Sequence, residues 1–232
     1  MKMITFASFK GGAGKTTAVM AVTSALADMG KRIALIDTDE NIPLIDWREA
    51  ATKADTWSDN VTVFAADDMR SFESAYEATS SQNYNYVIVD TRGGGSELNN
   101  TCLINTDLVI IPSALTTLDM TQGLTSFEHV IELHQAEGKN ITTALMIQRV
   151  PVGKLTISQK ADLEALLELP CCETHLHSRD AFAALGKRGL LGRSIAKIKG
   201  DPMKRISANH MATAMDEARA LTNDLLEALG DI

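Results

Sequence analysis

Short apolar runs alternate with longer amphipathic stretches along the whole chain. The apolar runs are typical of strands and lie at residues 4–9, 33–36, 61–65, 86–89, 108–111 and 144–150. Runs such as Val87-Ile88-Val89 and Val109-Ile110-Ile111 are continuous rather than alternating, as expected for strands that helices cover on both faces. The pattern therefore predicts a three-layer α/β fold with a doubly wound, mainly parallel sheet.

The longer stretches predict helices between these strands. Residues 16–29 carry Ala, Val and Leu at helical spacing and stop at Gly30, and residues 122–137 do the same and stop at Gly138. A last amphipathic helix is predicted at about 207–229, where apolar residues share one side and can cover the sheet or form a dimer surface: Met211, Met215, Ala218, Leu221, Leu225 and Leu229. No repeat, linker or low-complexity tract interrupts residues 1–232, so one domain is expected.

Composition narrows the class of protein. The 232 residues include 22 Lys and Arg against 30 Asp and Glu, for a net charge of -8, and 45% of them are hydrophobic. These fractions match a packed protein rather than a disordered one, and no window approaches the roughly 18 consecutive apolar residues of a membrane span. The N-terminus has no apolar signal core, so no membrane insertion and a cytoplasmic location are expected, with association to the nucleoid or a cell pole as a refinement.

A glycine-rich loop joins the first predicted strand to the first predicted helix. It reads Lys10-Gly11-Gly12-Ala13-Gly14-Lys15-Thr16-Thr17. Glycines let backbone N–H groups converge on an anion, and the start of the following helix adds partial positive charge. A lysine at position 15 can reach the β- and γ-phosphates of ATP, and the Thr16 hydroxyl can ligate Mg²⁺. The sequence therefore predicts a phosphate loop formed by all eight residues, with ATP and Mg²⁺ as cofactors.

Three carboxylates follow two of the buried strands. Asp37 and Asp39 end the run Leu35-Ile36-Asp37-Thr38-Asp39, and Asp90 ends the run 86–90. The carboxyl ends of parallel strands meet at one edge of the sheet, where phosphates bind. Taken singly, each Asp could equally be a helix cap. Their joint placement favours a role in catalysis.

The loop departs from the usual phosphate-loop pattern, because Phe9 stands at the first glycine position and an additional lysine, Lys10, follows it. With the segments at 35–39 and 86–91, this loop resembles the deviant Walker A loop of the ParA/MinD family of P-loop ATPases. That resemblance implies an ATP-dependent homodimer in which Lys10 contacts the partner's nucleotide. It also implies a weak Mg²⁺-dependent hydrolysis of ATP to ADP and phosphate, with Lys10, Lys15 and Asp39 as catalytic residues.

Further roles also come from the family resemblance. Asp39 would orient the attacking water, while Thr16, Asp37 and Asp90 would hold Mg²⁺, partly through water. The family's adenine base lies after a late core strand, which here ends Gln148-Arg149-Val150-Pro151, so Gln148, Arg149 and Pro151 are assigned to ATP. A strand-ending turn explains Pro151 equally well.

A narrower resemblance is to ParA-type ATPases encoded in VirC operons. It rests on the segments at 37–48, 90–100, 148–153 and 179–184. The resemblance implies a factor that helps a relaxase process and deliver transferred DNA by binding beside the border repeat. Two positions depart from ordinary ParA proteins: Arg92-Gly93-Gly94-Gly95 replaces the usual Pro-Pro after Asp90, and Glu40 replaces a proline after Asp39.

One segment is strongly basic within this acidic chain. Residues 187–205 carry a single acid, Asp201, and seven basic residues: Lys187, Arg188, Arg193, Lys197, Lys199, Lys204 and Arg205. Such a segment suits phosphate backbones and predicts salt-sensitive, largely sequence-independent binding of double-stranded DNA. A solvated surface is the alternative that charge alone leaves open. The family resemblance favours DNA, because ParA-like dimers bind it through basic residues of their C-terminal portion.

Other functions remain as alternatives. A plasmid partition ATPase would move DNA cargo with a DNA-binding adaptor at a centromere, whereas the leading interpretation has relaxase-complex proteins as partners. A MinD-like membrane switch would need a basic amphipathic C-terminal helix, but residues 207–232 are net acidic. A metallocluster-handling relative would need cysteines that Cys102, Cys171 and Cys172 do not supply. A scaffold that binds nucleotide without turnover is a further non-DNA alternative.

Overall fold

The structure is a computed structural model that describes residues 1–232. Its seven strands are β1 Lys2–Phe6, β2 Ile33–Asp37, β3 Val61–Ala65, β4 Tyr86–Asp90, β5 Leu108–Ala114, β6 Thr142–Val150 and β7 Leu176–His177. Its ten α-helices are α1 Lys15–Asp28, α2 Pro43–Lys53, α3 Met69–Ser80, α4 Glu97–Ile104, α5 Thr117–Ala136, α6 Ile157–Leu167, α7 Asp180–Ala183, α8 Leu185–Arg188, α9 Leu191–Ile198 and α10 Arg205–Ala228.

All seven strands join one parallel sheet in the order β3-β2-β4-β1-β5-β6-β7. This confirms the predicted doubly wound α/β fold. The order changes direction around β1, which lies between β4 and β5, so the crevice beyond their carboxyl ends is the place where ligands bind in such sheets. In register, Asp37 at the end of β2 pairs with Asp90 at the end of β4.

Two helical layers cover the sheet because successive strand residues point to opposite faces. On one face, the main core joins β-strand residues to α1, α2 and α7–α10; its largest fully buried members include Trp47, Phe6 and Ile4. On the other face, two smaller cores pack α3 and α4, and α5 and α6, against the remaining side chains of the strands. Burial on both faces explains the continuous apolar runs of the sequence.

Some element boundaries differ from the sequence prediction. Strand β1 ends at Phe6 rather than residue 9, because Phe9 already belongs to the phosphate loop. Helix α5 begins at Thr117 rather than at residue 122. The Thr116 hydroxyl caps the start of the helix by accepting a hydrogen bond from the Asp119 N–H. The basic segment folds into α8, α9 and a 3₁₀ turn at Pro202–Lys204.

The last helix matches its prediction closely. Helix α10 buries Met211, Met215, Ala218, Leu221 and Leu225 against the main core. None of the helices is both long enough and apolar enough to cross a bilayer.

Candidate functional site

The phosphate loop connects β1 to α1 at the carboxyl edge of the sheet. Gly12 and Gly14 have φ values of +80° and +87°, a left-handed conformation that favours glycine. Gly14 is also the N-cap of α1, and no side chain caps this helix. The first N–H groups of α1 therefore have no side-chain partner, and together with the helix dipole they form a cradle for an anion such as a phosphate.

The side chains predicted to contact ATP follow in the first turn of α1. Lys15 is buried, with 7% of its surface exposed, and Thr16 and Thr17 are half-buried. Burial lowers the pKa of the Lys15 ammonium, although the nearby carboxylates of Asp90 and Asp39 raise it. A phosphate would supply the anionic partner that a buried lysine lacks.

Thr16 and Asp90 are two of the residues predicted to hold Mg²⁺. The Thr16 hydroxyl donates to Oδ2 of Asp90 over 2.6 Å, while the other carboxylate oxygen, Oδ1, is buried without a hydrogen-bond partner. Burial raises the pKa of Asp90 to about 7. An unpartnered carboxylate oxygen beside a hydroxyl suits a hard cation, so these residues fit the Mg²⁺ that the phosphate loop implies.

Asp37 lies next to Asp90, and its carboxylate accepts hydrogen bonds from backbone N–H groups of the segment that follows β2. Its Oδ2 accepts from the Leu44 N–H over 2.7 Å, and its Oδ1 accepts from the Asp39 N–H over 3.2 Å. Burial nevertheless raises the pKa of Asp37 to about 6. Asp37 thus anchors the segment that leads into α2.

Asp39 is half-exposed above this edge. Its Oδ1 accepts from both the backbone N–H and the side-chain amide of Asn41, over 2.9 and 2.8 Å. These bonds hold the carboxylate in one orientation, as a residue that positions a water molecule requires.

Gln148 and Arg149 lie on the phosphate loop. The Gln148 amide donates to the Ala13 carbonyl, and the Arg149 guanidinium donates to the Gly12 carbonyl over 2.8 Å. Gln148 is buried, with 2% of its surface exposed. The structure thus brings the end of β6 to the loop, and both side chains fix loop carbonyls there. Pro151 follows β6 and is half-buried, and contact of these residues with the adenine base stays a prediction.

Lys10 does not point freely into solvent. Its Nζ atom lies 3.0 Å from Oδ1 of Asp119, at the start of α5. The other Asp119 oxygen accepts from the Thr116 hydroxyl over 2.7 Å. This hydrogen bond, with a further contribution from Lys10, lowers the pKa of Asp119 below its ordinary value. Within a single subunit, the loop lysine is therefore held by an acid of its own chain.

The chain resembles known proteins over nearly its whole length. The family model described as VirC1 protein matches residues 1–231. The chain belongs to the VirC1 family. It is 45% identical to Protein virC1 of Rhizobium rhizogenes over 99% of both chains, and 28% identical to Protein ParA of Rhizobium radiobacter over 99% of this chain and 98% of that one.

A solved structure with a similar fold is a plasmid partition protein of Borrelia burgdorferi bound to AMPPNP. Its TM-score is 0.66 at 18% identity, covering 97% of this chain and 98% of that chain. At this identity the likeness shows the fold alone. This VirC1-family chain therefore shares the fold of that partition protein.

The basic segment of this VirC1-family chain lies away from the phosphate loop. The Lys197 ammonium donates to the Ala54 carbonyl beyond the C-terminus of α2, and a Cβ added to Gly192 would lie 2.6 Å from Oδ1 of Asp28, the last residue of α1. Both helices begin at the phosphate edge and end at the opposite one. Arg193 and Lys197 therefore sit at the edge of the sheet opposite to the phosphate loop.

The seven basic side chains differ in how they are held. Lys204 pairs with Asp201 over 3.4 Å, and Lys197 is held by Ala54. Arg188 is half-buried, and its carbonyl accepts from the hydroxyls of Thr56 and Ser194. The remaining basic residues are exposed and form no ion pair with an acid of the chain: Lys187, Arg193, Lys199 and Arg205.

Sequence reasoning missed Asp119 as the partner of Lys10. The signal was present, because Thr116 and Asp119 have the spacing of an N-cap and its third helical residue, a pattern that begins helices. It also treated Glu40 and Arg92 as separate departures, although their side chains form an ion pair 3.0 Å long.

Proposed function

We propose that this protein is a ParA-like ATPase that dimerises with ATP, binds double-stranded DNA and promotes the processing and transfer of plasmid-borne DNA by a relaxase complex. The observation that carries the nucleotide half is the uncapped start of α1 beside the Thr16–Asp90 pair, whose buried Oδ1 lacks a partner. Membership of the VirC1 family supports the role in DNA transfer.

Each residue of the site has a separate task in this proposal. The N–H groups of residues 11–17 bind the phosphates, and Lys15 neutralises charge on the terminal ones. Thr16 and Asp90 hold Mg²⁺, and Asp37 supports its water shell from the neighbouring strand. Bound Mg²⁺ supplies electrostatic stabilisation of the charge that develops on the transferred phosphoryl group. Asp39 orients the attacking water through the carboxylate that Asn41 fixes.

Hydrolysis is expected to be slow in the isolated subunit. Lys10 is paired with Asp119 of its own chain, and it has to leave that partner before it can contact the nucleotide of a second subunit. The proposal therefore makes the homodimer the active species. A DNA-bound adaptor or relaxase-complex protein would then stimulate hydrolysis by accelerating the release of Lys10 from Asp119.

DNA binding is assigned to the exposed basic residues of 187–205. Among them, Arg193 lies at the edge opposite to the phosphate loop, and α1, with 14 residues, spans about 20 Å between those edges. In a dimer closed through its phosphate loops, the two basic surfaces would thus be separated by about 40 Å or more. A duplex has to exceed roughly 12 base pairs to reach both, at about 3.4 Å per base pair. Engagement of both surfaces raises affinity through effective concentration.

The decisive experiment measures binding of the full chain to DNA without nucleotide, with ADP and with AMPPNP, each with Mg²⁺. Duplexes of about 10 and about 60 base pairs are compared, with random or border-adjacent sequence, over a series of salt concentrations. We expect tight binding only with AMPPNP and the long duplex, with a steep decrease as salt rises. Equal binding in all nucleotide states would refute the coupling, and an excess on the border duplex would support the transfer role.

The Lys15→Ala variant is the matched control, because it removes the phosphate-binding ammonium and leaves the basic surface unchanged. It should bind DNA equally in every nucleotide state. Retention of the AMPPNP effect would show that the nucleotide acts elsewhere.

Plasmid partition is a second candidate, favoured by the 28% identity to Protein ParA over nearly the whole chain. It differs in partner rather than in chemistry, since the adaptor would be bound at a centromere. Steady-state ATP turnover with DNA and either adaptor distinguishes the two roles, and negligible turnover in every mixture would favour a nucleotide-binding scaffold.

A further inference from the structure

Two residues that replace prolines of ordinary ParA proteins meet in space. Nη1 of Arg92, just after β4, donates to Oε1 of Glu40, just after β2, over 3.0 Å. The pair bridges the two loops that follow the carboxylates Asp37 and Asp90. The roles described above make no use of either side chain.

The backbone of Arg92 is fixed beside the phosphate loop. Its N–H donates to the Thr38 hydroxyl over 3.0 Å, and its carbonyl accepts from the Asn99 amide over 3.1 Å. The next residue, Gly93, touches the loop, since a Cβ there would lie 3.0 Å from the N atom of Gly11. The Arg92 side chain therefore extends from a hydrogen-bonded backbone position, and the residue after it contacts the phosphate loop.

The side chains of the pair are held much more weakly than this backbone. Only one nitrogen of Arg92 contacts one oxygen of Glu40, and the two side chains are 34% and 74% exposed. Exposed pairs of this kind contribute little to stability. A terminal phosphate carries more charge than a carboxylate and can accept two parallel bonds from a guanidinium, so it competes well for Arg92.

We propose that Arg92 is a specificity residue that distinguishes a nucleoside triphosphate from a diphosphate, and that Glu40 competes with the terminal phosphate for it. Without triphosphate, Glu40 holds the guanidinium at the loop after β2. With triphosphate bound, Arg92 contacts the terminal phosphate and Glu40 is released. The inference rests on the nucleotide site of the proposed function.

The test measures affinities of the full chain for AMPPNP and for ADP, both with Mg²⁺, rather than turnover. The variants are Arg92→Gln, Glu40→Gln and the two combined. Because a bond to a charged group contributes about 1.5–3 kcal/mol, Arg92→Gln should weaken AMPPNP binding about 10- to 100-fold, while ADP affinity changes less than about twofold. Glu40→Gln should instead strengthen AMPPNP binding by up to about fivefold, and this gain should vanish when Arg92 is also replaced.

The opposite signs separate competition from a structural role. If the pair merely supports the loops, both single variants weaken binding, and they weaken ADP binding as well; that result would overturn the proposal. Unchanged AMPPNP affinity in Arg92→Gln would also overturn it. Failure of the unmodified chain to bind either nucleotide would instead refute the proposed function.

Two controls and one further variant secure the comparison. Arg219→Gln removes an exposed arginine that pairs with Asp28 and Asp216 at the opposite edge of the sheet, and it should change neither affinity. Thermal unfolding without nucleotide should shift by less than about 4 °C in every variant, as expected for the loss of an exposed pair. Arg92→Lys keeps the charge without the planar fork and should give an intermediate loss for AMPPNP alone.

Discussion

Lys10 and Asp119 form an ion pair of 3.0 Å between the phosphate loop and the first turn of α5 within one subunit. Lys10 is also the residue that the family resemblance assigns to the nucleotide of a partner subunit. A side chain cannot serve both partners at once, so pairing within the chain would oppose the proposed dimerisation. The balance between these two partners should set the ATP concentration at which dimers form.

Replacement of Asp119 by Asn tests this balance. Asn keeps the side-chain oxygen that can accept from Thr116 but removes the charge that holds Lys10. We expect dimers at an AMPPNP concentration lower by about two- to fivefold, as the loss of a partly exposed ion pair of up to about 1 kcal/mol implies. Sedimentation velocity over a nucleotide titration measures it, and Lys10→Ala should abolish the dimer. An unchanged midpoint in Asp119→Asn would contradict the balance.

Titration of the buried carboxylates should be visible in stability. Burial raises the pKa of Asp90 from 3.8 to about 7, so between these values the folded chain binds a proton that the unfolded chain has lost. This contribution to the free energy of unfolding is fully present below about pH 4 and disappears as pH rises through about 7. Asp37, whose pKa is raised to about 6, acts in the same direction.

The Asp90→Asn variant isolates the larger of the two effects. At pH 8 without Mg²⁺, it should raise the free energy of unfolding by on the order of 1–3 kcal/mol, because the buried charge is removed while an acceptor for Thr16 remains. Denaturant titrations at pH 5 and pH 8 measure the gain, which should shrink at pH 5. The same variant should lose Mg²⁺-dependent nucleotide affinity. A gain that is equal at both pH values would contradict the assigned titration.

The sequence predicted this edge of the sheet well for a physical reason. Strands β2 and β4 are buried on both faces, so their apolar runs are continuous and the Asp residues that end them stand out. Side-chain partners were harder to predict, because they depend on contacts between distant segments. The sequence prediction placed the start of α5 too late, because Leu118 is 59% exposed and the first turn has no apolar periodicity. As a result, Asp119 was not predicted to lie in the first turn of a helix.

The hydrogen-bond partner of Gln148 was also not predictable from the sequence. The family resemblance assigns it to the adenine base, which stays a prediction, and the fold places its amide, near the end of β6, against the Ala13 carbonyl and next to Gly14. No local pattern encodes that interaction, since its two partners are 135 residues apart in the chain.

The hydrogen bond to Ala13 predicts a role for Gln148 in holding the phosphate loop. Gln148→Met keeps a side chain of similar length but removes the donor to Ala13, so AMPPNP and ADP should both bind about 5- to 20-fold less tightly. Calorimetric titration measures both affinities. Arg149→Met, which removes the more exposed bond to Gly12, is the matched comparison and should have the smaller effect. If adenosine competes with AMPPNP equally well for the variant and the original chain, the loss lies at the phosphates; a selective loss of adenosine binding would restore the role at the base.

The basic surface allows a final prediction, because its members differ in how they are held. Lys187, Arg193 and Lys199 are exposed and free of acidic partners, whereas Lys204 already pairs with Asp201. Changing the first three to Gln should weaken binding of a long duplex and reduce the slope of log K against log salt by about 0.9 for each phosphate that is no longer neutralised. Lys204→Gln, the matched control, should reduce both quantities less. Nucleotide affinity should stay constant in all variants, because the proposed nucleotide site uses none of these residues. Equal DNA affinity and slope in the triple variant would show that this surface is only solvated.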